Sequence, residues 1–209
     1  MAEINTLNII QKVNEIFLKY GIKSVSMDDI ARELGISKKT LYQYFTDKAD
    51  LVSKVIDYQI DDKISCFGEV IDRKLNAIEE LLEIQRLLNA FVQQYNPAIY
   101  YDLKKYYPEL YQKLSHNRRQ RMLDILLQNL EKGKQEGVYR AELNNEIIAN
   151  IYISRVEILH GQEDLISFHE MHNRQVLKEV IIYHLRGICN ANGYAILEKL
   201  IDKHFNEPF

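Results

Sequence analysis

The chain has 209 residues, of which 46% are hydrophobic and 27% charged, a composition typical of a protein that folds around its own core. With only 8 glycines and 3 prolines it has few turn residues for a many-stranded sheet, which favours long helices. The formal net charge of −3 gives no overall signal for nucleic acid. Because no apolar stretch approaches the roughly 18 residues that span a bilayer, and the N-terminus lacks a secretory signal, we expect a cytoplasmic protein without a membrane partner.

Cysteines and histidines give no sign of a metal site. Cys66 and Cys189 lie far apart and form no CxxC pair, so neither a zinc site nor a disulfide framework is expected. His169, Glu170 and His172 could share one helical turn, but two histidines without a third placed ligand are more typical of a solvated segment. Nucleophile elbows, phosphate loops, HExxH motifs and paired catalytic carboxylates are absent from the sequence. We therefore predict no metal, no cofactor and no enzymatic activity.

Three short, sharply turned helices are predicted at the N-terminus, over about 7–20, 26–35 and 37–45. Serines that can cap a helix precede the second and third, and Asp47 can cap a long fourth helix. No strand-like alternation interrupts this region. The pattern therefore indicates a compact three-helix head.

The second and third helices have the spacing of a helix-turn-helix. Ala31 lets two helices approach closely, and Gly35 can adopt the left-handed conformation that the tight turn needs. Apolar residues fall where these helices must pack on the first one: Ile30, Leu34, Ile36, Leu41 and Phe45. The residues left to point outward from the third helix are Lys38, Lys39, Thr40, Tyr42 and Gln43. Lysines, a hydroxyl and an amide on a short helix suit the major groove, whereas the alternative is a helical bundle with a solvated lysine face.

The distribution of charge agrees with a DNA-facing head. Residues 1–48 hold seven basic and six acidic side chains, whereas the rest of the chain holds 20 and 24. The basic groups of the head concentrate at Lys38, Lys39 and Lys48. This indicates a small anion-facing patch on an otherwise acidic protein.

Residues 17–52, FLKYGIKSVSMDDIARELGISKKTLYQYFTDKADLV, resemble the DNA-binding signature of the TetR family of bacterial transcriptional regulators. The match includes the run TLYxYF…K from Thr40 to Lys48. The resemblance implies an all-α fold: a three-helix helix-turn-helix DNA-binding domain over 1–48, joined by a long helix to a helical ligand-binding and dimerisation bundle over 49–209.

The resemblance also implies roles for individual residues of the head. By position, Ser26 and Tyr44 resemble phosphate contacts, and Lys48 resembles the family's phosphate clamp at the start of the long helix, where the helix N-terminus adds partial positive charge. The outward residues of the third helix lie where the family reads bases and the adjoining backbone: Lys38, Lys39, Thr40, Tyr42 and Gln43. Partial packing beside Leu41 is the alternative for Tyr44.

Beyond residue 50 the pattern predicts long helices, at about 48–67, 76–95, 98–106, 109–135, 144–160, 173–190 and 193–205. The helix over 173–190 is apolar on two faces, so it needs cover on two sides. One side can be its own core and the other a second subunit, while burial wholly within one monomer is the alternative. Together with an apolar stripe on 144–160, this predicts a homodimer interface at Ile148, Ile151, Val176, Leu177, Val180, Ile181, Leu185 and Ile188.

Aromatic residues concentrate over 95–111, which holds six of the 14 tyrosines. Tyrosine combines a large apolar area with an orienting hydroxyl, which suits a pocket for an apolar or aromatic molecule. The alternative is that these side chains seal amphipathic helices against the core. The residues predicted to line a pocket are Cys66, Phe67, Phe91, Tyr95, Tyr101, Tyr107, Tyr111 and Tyr152.

These patterns and the resemblance predict a ligand-responsive, dimeric DNA-binding transcriptional regulator. In the leading interpretation it is a repressor that a small apolar or aromatic effector releases from a palindromic double-stranded operator. A second interpretation is a DNA-binding protein of the same fold that serves chromosome or division organisation through a protein partner. A third, an enzyme that has kept a DNA-binding head, has no supporting residue.

Overall fold

The structure is a computed structural model that describes residues 5–93, 96–161 and 174–206. Every regular secondary-structure element in this part of the chain is a helix, which confirms the predicted all-α fold. They are α1 (Thr6–Tyr20), α2 (Met27–Glu33), α3 (Lys38–Tyr44), α4 (Lys48–Asp72), α5 (Ala77–Gln93), α6 (Pro97–Tyr106), α7 (Pro108–Gln135), α8 (Asn145–Gly161), α9 (Arg174–Ile188) and α10 (Ala191–Asn206). Within the same residues, no helix is long and apolar enough to cross a lipid bilayer.

The chain forms two compact units, each with its own core. The first unit comprises Met1–Ser65 and Tyr95–Asn117, and the second comprises Cys66–Gln94 and Arg118–Phe209. The boundaries between them fall inside α4, between α5 and α6, and inside α7, so neither unit is a single continuous stretch of chain. The functional division into 1–48 and 49–209 stays a prediction, because compact packing does not define where each function lies.

Capping residues begin the short helices of the first unit. Ser26 and Asp29 form a reciprocal capping box at α2, the hydroxyl of Ser37 accepts the amide of Thr40 at 3.0 Å, and a carboxylate oxygen of Asp47 accepts the amide of Asp50 at 2.8 Å. α1 ends at Gly21, whose amide donates to the Phe17 carbonyl oxygen. The predicted starts of these helices are therefore produced by local side-chain hydrogen bonds.

Apolar side chains at helical spacing fill the core of the first unit. α1 buries Ile9, Ile10, Val13, Ile16 and Phe17, whereas Tyr20, which the same periodicity places near this stripe, is 53% exposed. Ile30, Leu41 and Phe45 are 0–1% exposed, as the predicted helix packing requires. α6 and the start of α7 complete this core with Ile99, Leu103 and Leu114.

The second unit has its own apolar core and a buried polar cluster at the start of α5. Nζ of Lys132 lies 2.5 Å from Oε2 of Glu80, and Nδ2 of Asn129 donates to Oε1 of Glu80 at 2.9 Å. The hydroxyl of Tyr139 lies 3.1 Å from both the Ala77 carbonyl oxygen and Oδ1 of Asn129. These buried polar groups thus supply one another's hydrogen-bond partners, and the bonds between Glu80, Asn129 and Lys132 join α5 to α7.

Candidate nucleic-acid interface

The turn between α2 and α3 has the geometry that the sequence predicts. Gly35 has a φ of +66°, in the left-handed region where a Cβ is strained, and its predicted role as the turn glycine fits this conformation. Ala31 is 4% exposed and Leu41 is fully buried, so both helices are anchored to the core of the first unit. Anchoring by Leu41 fixes which side of α3 points away from the protein.

The outward face of α3 is polar and carries no acidic residue. Lys38, Lys39 and Gln43 are exposed, and Tyr42 is 44% exposed. Lys38 is paired with Asp28 at 2.9 Å, and the hydrogen bond to Asp28 raises the pKa of Lys38. Lys39 forms no ion pair within the described residues, so α3 presents one unpaired cation beside an amide and a phenol.

Three other predicted DNA contacts already have structural partners. The hydroxyl of Ser26 donates to Oδ2 of Asp29 at 2.6 Å as part of the α2 cap. The hydroxyl of Thr40 lies 2.7 Å from that of Ser37. Tyr44 is half-buried against the core, as the packing alternative expects. These residues therefore hold α2 and α3 in place, and their predicted contacts with phosphate or bases remain untested.

Lys48, the predicted phosphate clamp, is half-buried at the start of α4. Its Nζ donates a hydrogen bond of 2.7 Å to the carbonyl oxygen of Ile22, in the loop between α1 and α2. Burial lowers the pKa of Lys48, with a further lowering from Lys23, while Asp102 and Asp29 act in the opposite direction. The ammonium is thus held in one place at a helix N-terminus, where the helix dipole adds positive potential.

Sequence reasoning missed Asp102 and Lys23, which lie beside Lys48. Asp102 of α6 is 8% exposed, and its Oδ2 accepts the backbone amide of Lys23 at 2.7 Å. One signal was available: Asp102 occupies an apolar position of α6, three residues after the buried Ile99. An acidic residue in an apolar stripe indicates a buried hydrogen-bond partner.

The structure divides the predicted pocket residues between the two units. Tyr101, Tyr107 and Tyr111 belong to the first unit; Tyr101 is 57% exposed, so it does not line a closed cavity. Burial, with smaller contributions from Asp102 and Asp47, raises the pKa of Tyr107. The rings of Tyr100 and Tyr111 pack edge to face, 5.0 Å between centroids, and their hydroxyls are hydrogen-bonded.

The remaining pocket candidates lie in the second unit. Phe67 and Phe91 pack edge to face, 5.9 Å between ring centroids. Tyr152 is buried, with its hydroxyl donating to Oε1 of Gln85 at 2.5 Å. Cys66 is half-buried, and Tyr95 lies outside the described residues. The described candidates are thus divided between the two units, and their role in lining a pocket stays a prediction.

The predicted dimer residues separate into core and surface. Ile181, Leu185 and Ile188 are 0–2% exposed within the core of the second unit, so assigning them to a surface between two chains is corrected. Ile151 is 60% exposed; Ile148, Val176 and Val180 are half-buried, and the Leu177 side chain lies outside the described residues. Of the two apolar faces of α9, the one containing Ile181 packs within the monomer, and the other carries Tyr183, which is 78% exposed.

The two cysteines differ in accessibility. Cys189 is buried, and burial raises the pKa of its thiol to about 11. Because only the thiolate reacts, the raised pKa lowers the reactive fraction of Cys189 at pH 8. We expect iodoacetamide to label the half-buried Cys66 first, with Cys189 reacting only at higher pH or in urea, as peptide mass spectrometry would measure. Equal labelling rates in the native protein would contradict this burial.

No group of three or more potential metal ligands occurs among the described residues. His169, Glu170 and His172, the histidine cluster that the sequence analysis set aside, lie outside the described residues.

Comparison with known proteins agrees with this helix-turn-helix geometry. Residues 9–55 match the family model of bacterial regulatory proteins of the tetR family. The chain is 27% identical over 178 residues to an HTH-type transcriptional regulator of Staphylococcus aureus strain MSSA476, covering 75% of this chain and 96% of that protein.

Solved structures share the fold at low sequence identity. A transcriptional regulator from Cytophaga hutchinsonii superposes with a TM-score of 0.73 at 17% identity, covering 88% of this chain and 98% of that one. A transcriptional regulator from Saccharomonospora viridis, solved in complex with choline, has a TM-score of 0.66 at 18% identity, covering 88% and 97%. The helical fold outside the matched head is thus also found in solved regulators.

Proposed function

Because the chain is a TetR-family transcriptional regulator, we propose that it is a homodimeric repressor that a small effector releases from a palindromic DNA operator in the cytoplasm. Residues 1–48 would bind DNA, and residues 49–209 would bind the effector and form the dimer. The family consists of regulators rather than enzymes, which confirms the prediction that the chain is not an enzyme.

The observation that carries this proposal is the outward face of α3. Leu41 buries one side of the helix, so Lys39, Tyr42 and Gln43 project from the other. A glutamine amide can pair bidentately with adenine, and a lysine can reach N7 and O6 of guanine. An exposed helical face with these groups and no carboxylate supports a role in reading the major groove.

The effector is proposed to bind in the second unit. The aromatic pair Phe67–Phe91 packs there with the half-buried Leu87 and Leu88. Such surroundings suit an apolar or aromatic molecule, and the structural neighbour from S. viridis was solved with the small molecule choline. Aromatic rings can also attract a cationic head group.

Selection of binding sites from random DNA tests the proposed function. A twofold dimer should select an inverted repeat whose half-site centres lie about one helical turn, or a simple multiple of one turn, apart. A reporter behind the selected site should be silenced by the protein. Selection of no sequence at all, or activation of the reporter, would contradict the proposal.

Gln43→Ala and Lys48→Ala are expected to weaken DNA binding in different ways. Loss of a base contact at Gln43 should relax discrimination at one position per half-site by roughly 1–3 kcal/mol. Loss of a phosphate contact at Lys48 should weaken binding on all sequences and flatten the salt dependence by about one charge per subunit. Affinities for single-base variants of the selected site, measured at several salt concentrations, separate the two effects. An unchanged base preference in Gln43→Ala would remove that residue from base reading.

Release by effector has a thermodynamic signature. An effector that weakens operator binding tenfold must itself bind the operator complex tenfold more weakly, a coupling of about 1.4 kcal/mol. Calorimetric titration of a confirmed effector into the protein alone and into the protein–operator complex measures this coupling. Equal affinities in the two titrations would rule out effector-driven release.

A further inference from the structure

One peptide bond in the loop between α1 and α2 is held from both of its polar ends. The carbonyl oxygen of Ile22 accepts a hydrogen bond of 2.7 Å from Nζ of Lys48, and the amide of Lys23 donates one of 2.7 Å to Oδ2 of Asp102. These two groups belong to the same planar Ile22–Lys23 peptide. A single rigid peptide therefore joins the first residue of α4 to the middle of α6, within the first unit.

Asp102 is buried, a position in which a charged carboxylate lowers the stability of the fold unless it is hydrogen-bonded. It is 8% exposed and is flanked on its helix by Ile99 and Leu103, which belong to the core of the first unit. Burying a carboxylate is unfavourable unless hydrogen bonds compensate for the lost water. The Lys23 amide supplies such a bond, so the placement is explained by the contact with the loop.

One further contact holds the loop against α6, and a glycine lets the loop come close to Asp102. Nζ of Lys23 lies 4.5 Å from the ring centroid of Tyr106, a cation–π contact. Gly21 has a φ of +79°, and a Cβ there would lie 3.4 Å from Oδ2 of Asp102. The loop thus approaches the Asp102 carboxylate closely at a residue whose backbone conformation favours glycine.

We propose that Asp102 is a positioning residue for DNA binding, which orients Nζ of Lys48 toward the phosphate backbone by holding the Ile22–Lys23 peptide. A lysine ammonium has three donors, so the bond to Ile22 leaves two for a phosphate. An ammonium that is already held in place loses less conformational entropy when DNA binds. This inference rests on the proposed function, because it explains how one residue of the proposed DNA-binding surface is held.

The charge of Asp102 acts in the same direction as its hydrogen bond. Burial and the neighbouring Lys23 lower the pKa of Lys48, and Asp102 is the largest of the contributions that raise it. Asp102 therefore favours the charged form of the group that must meet the phosphate.

A double-mutant cycle tests the proposal on a duplex that the wild-type protein has selected from random DNA. Asp102→Ala should weaken binding by about tenfold, the size expected when Lys48 loses one charge-assisted hydrogen bond to a phosphate. It should also lower the slope of log affinity against log salt by about 0.9 per subunit, as Lys48→Ala does. In the Lys48→Ala background the further loss should be small, less than about twofold, since the group being positioned is already gone.

Two variants separate positioning from loss of structure. Asp102→Asn keeps an oxygen that can accept the Lys23 amide, so it should retain more affinity than Asp102→Ala. Asn96→Ala removes the hydrogen bond from Nδ2 of Asn96 to the Leu18 carbonyl oxygen at 2.8 Å and also the cap of α6, in which Oδ1 of Asn96 accepts the Ala98 amide at 2.9 Å. It therefore weakens the attachment of α6 without removing a contact to the Ile22–Lys23 peptide. Its effect should be the same with or without Lys48→Ala. Circular dichroism checks that each variant is folded.

Equal losses from Asp102→Ala in the wild-type and Lys48→Ala backgrounds would overturn the proposal, because Asp102 would then act on the loop as a whole. An unchanged affinity and salt slope in Asp102→Ala would overturn it as well. If the wild-type protein selects no DNA sequence, the proposed function is wrong, and the positioning role is wrong with it. If the wild type binds DNA selectively but the effects of Asp102→Ala and Lys48→Ala are additive, only the positioning role is wrong.

Discussion

Replacing Gly133 with alanine is expected to lower the free energy of unfolding by about 3 kcal/mol. A Cβ on Gly133 of α7 would lie 2.0 Å from Cδ2 and 2.3 Å from Cε2 of Tyr139, far inside van der Waals contact. Tyr139 is 1% exposed, and its hydroxyl lies 3.1 Å from both the Ala77 carbonyl oxygen and Oδ1 of Asn129. The ring therefore cannot turn aside without losing buried hydrogen bonds and core packing.

Gly68→Ala is the matched control for Gly133→Ala. Gly68 also lies inside a helix, α4, but a Cβ there would meet no atom within 4 Å. The alanine should therefore raise the free energy of unfolding by about 0.5–1 kcal/mol, through helix propensity alone. Urea unfolding followed by circular dichroism, at one protein concentration for all variants, measures both changes. Similar stabilities for the two variants would show that Tyr139 does not pack against Gly133.

The sequence predicts the head well because its signals are local. Ser37 and Asp47 each accept a backbone amide three residues ahead, and Gly35 has the positive φ that its place in the turn requires. Each of these features depends on residues within one turn of helix, so spacing alone reveals it. The predicted cores of α2 and α3 follow from the same short-range periodicity.

The remaining features depend on contacts between residues that are distant in sequence. Periodicity identifies two apolar faces on α9, but it does not tell which one packs within the monomer; the structure places Ile181 there and leaves Tyr183 exposed. The contact between Asp102 and Lys23 joins residues 79 apart, beyond any local pattern. Two residues of the predicted pocket, Tyr111 and Phe67, belong to different units, and the pocket stays a prediction.

Ile151→Glu is expected to convert the proposed dimer into a monomer. Ile147 and Ile151 are 57% and 60% exposed on α8, one helical turn apart, while Ala149 and Ile153 bury the opposite side in the core of the second unit. An exposed apolar pair on a long helix is typical of a surface that a partner covers. A glutamate there would be buried and unpaired in a dimer but solvated in a monomer, so it should prevent association without unfolding the chain.

Sedimentation velocity at micromolar concentration measures the association, and Ile71→Glu is the control. Ile71 of α4 is 39% exposed, so its replacement makes the same change of charge at another surface position. The control should remain a dimer, and Ile151→Glu should sediment as a monomer. A dimer that survives Ile151→Glu would place the interface elsewhere.

Loss of the dimer should weaken operator binding by about 100-fold or more, because two linked heads bind two half-sites far more tightly than one head binds one. Base preference within a single half-site should not change. Lys39 and Gln43 belong to the first unit and Ile151 to the second, so the substitution leaves the outward face of α3 as it is. Titration of the variant against a full operator and against an isolated half-site separates the two effects. A monomer that kept wild-type affinity for the full operator would show that each head binds independently, which would contradict the proposed twofold mode of DNA recognition.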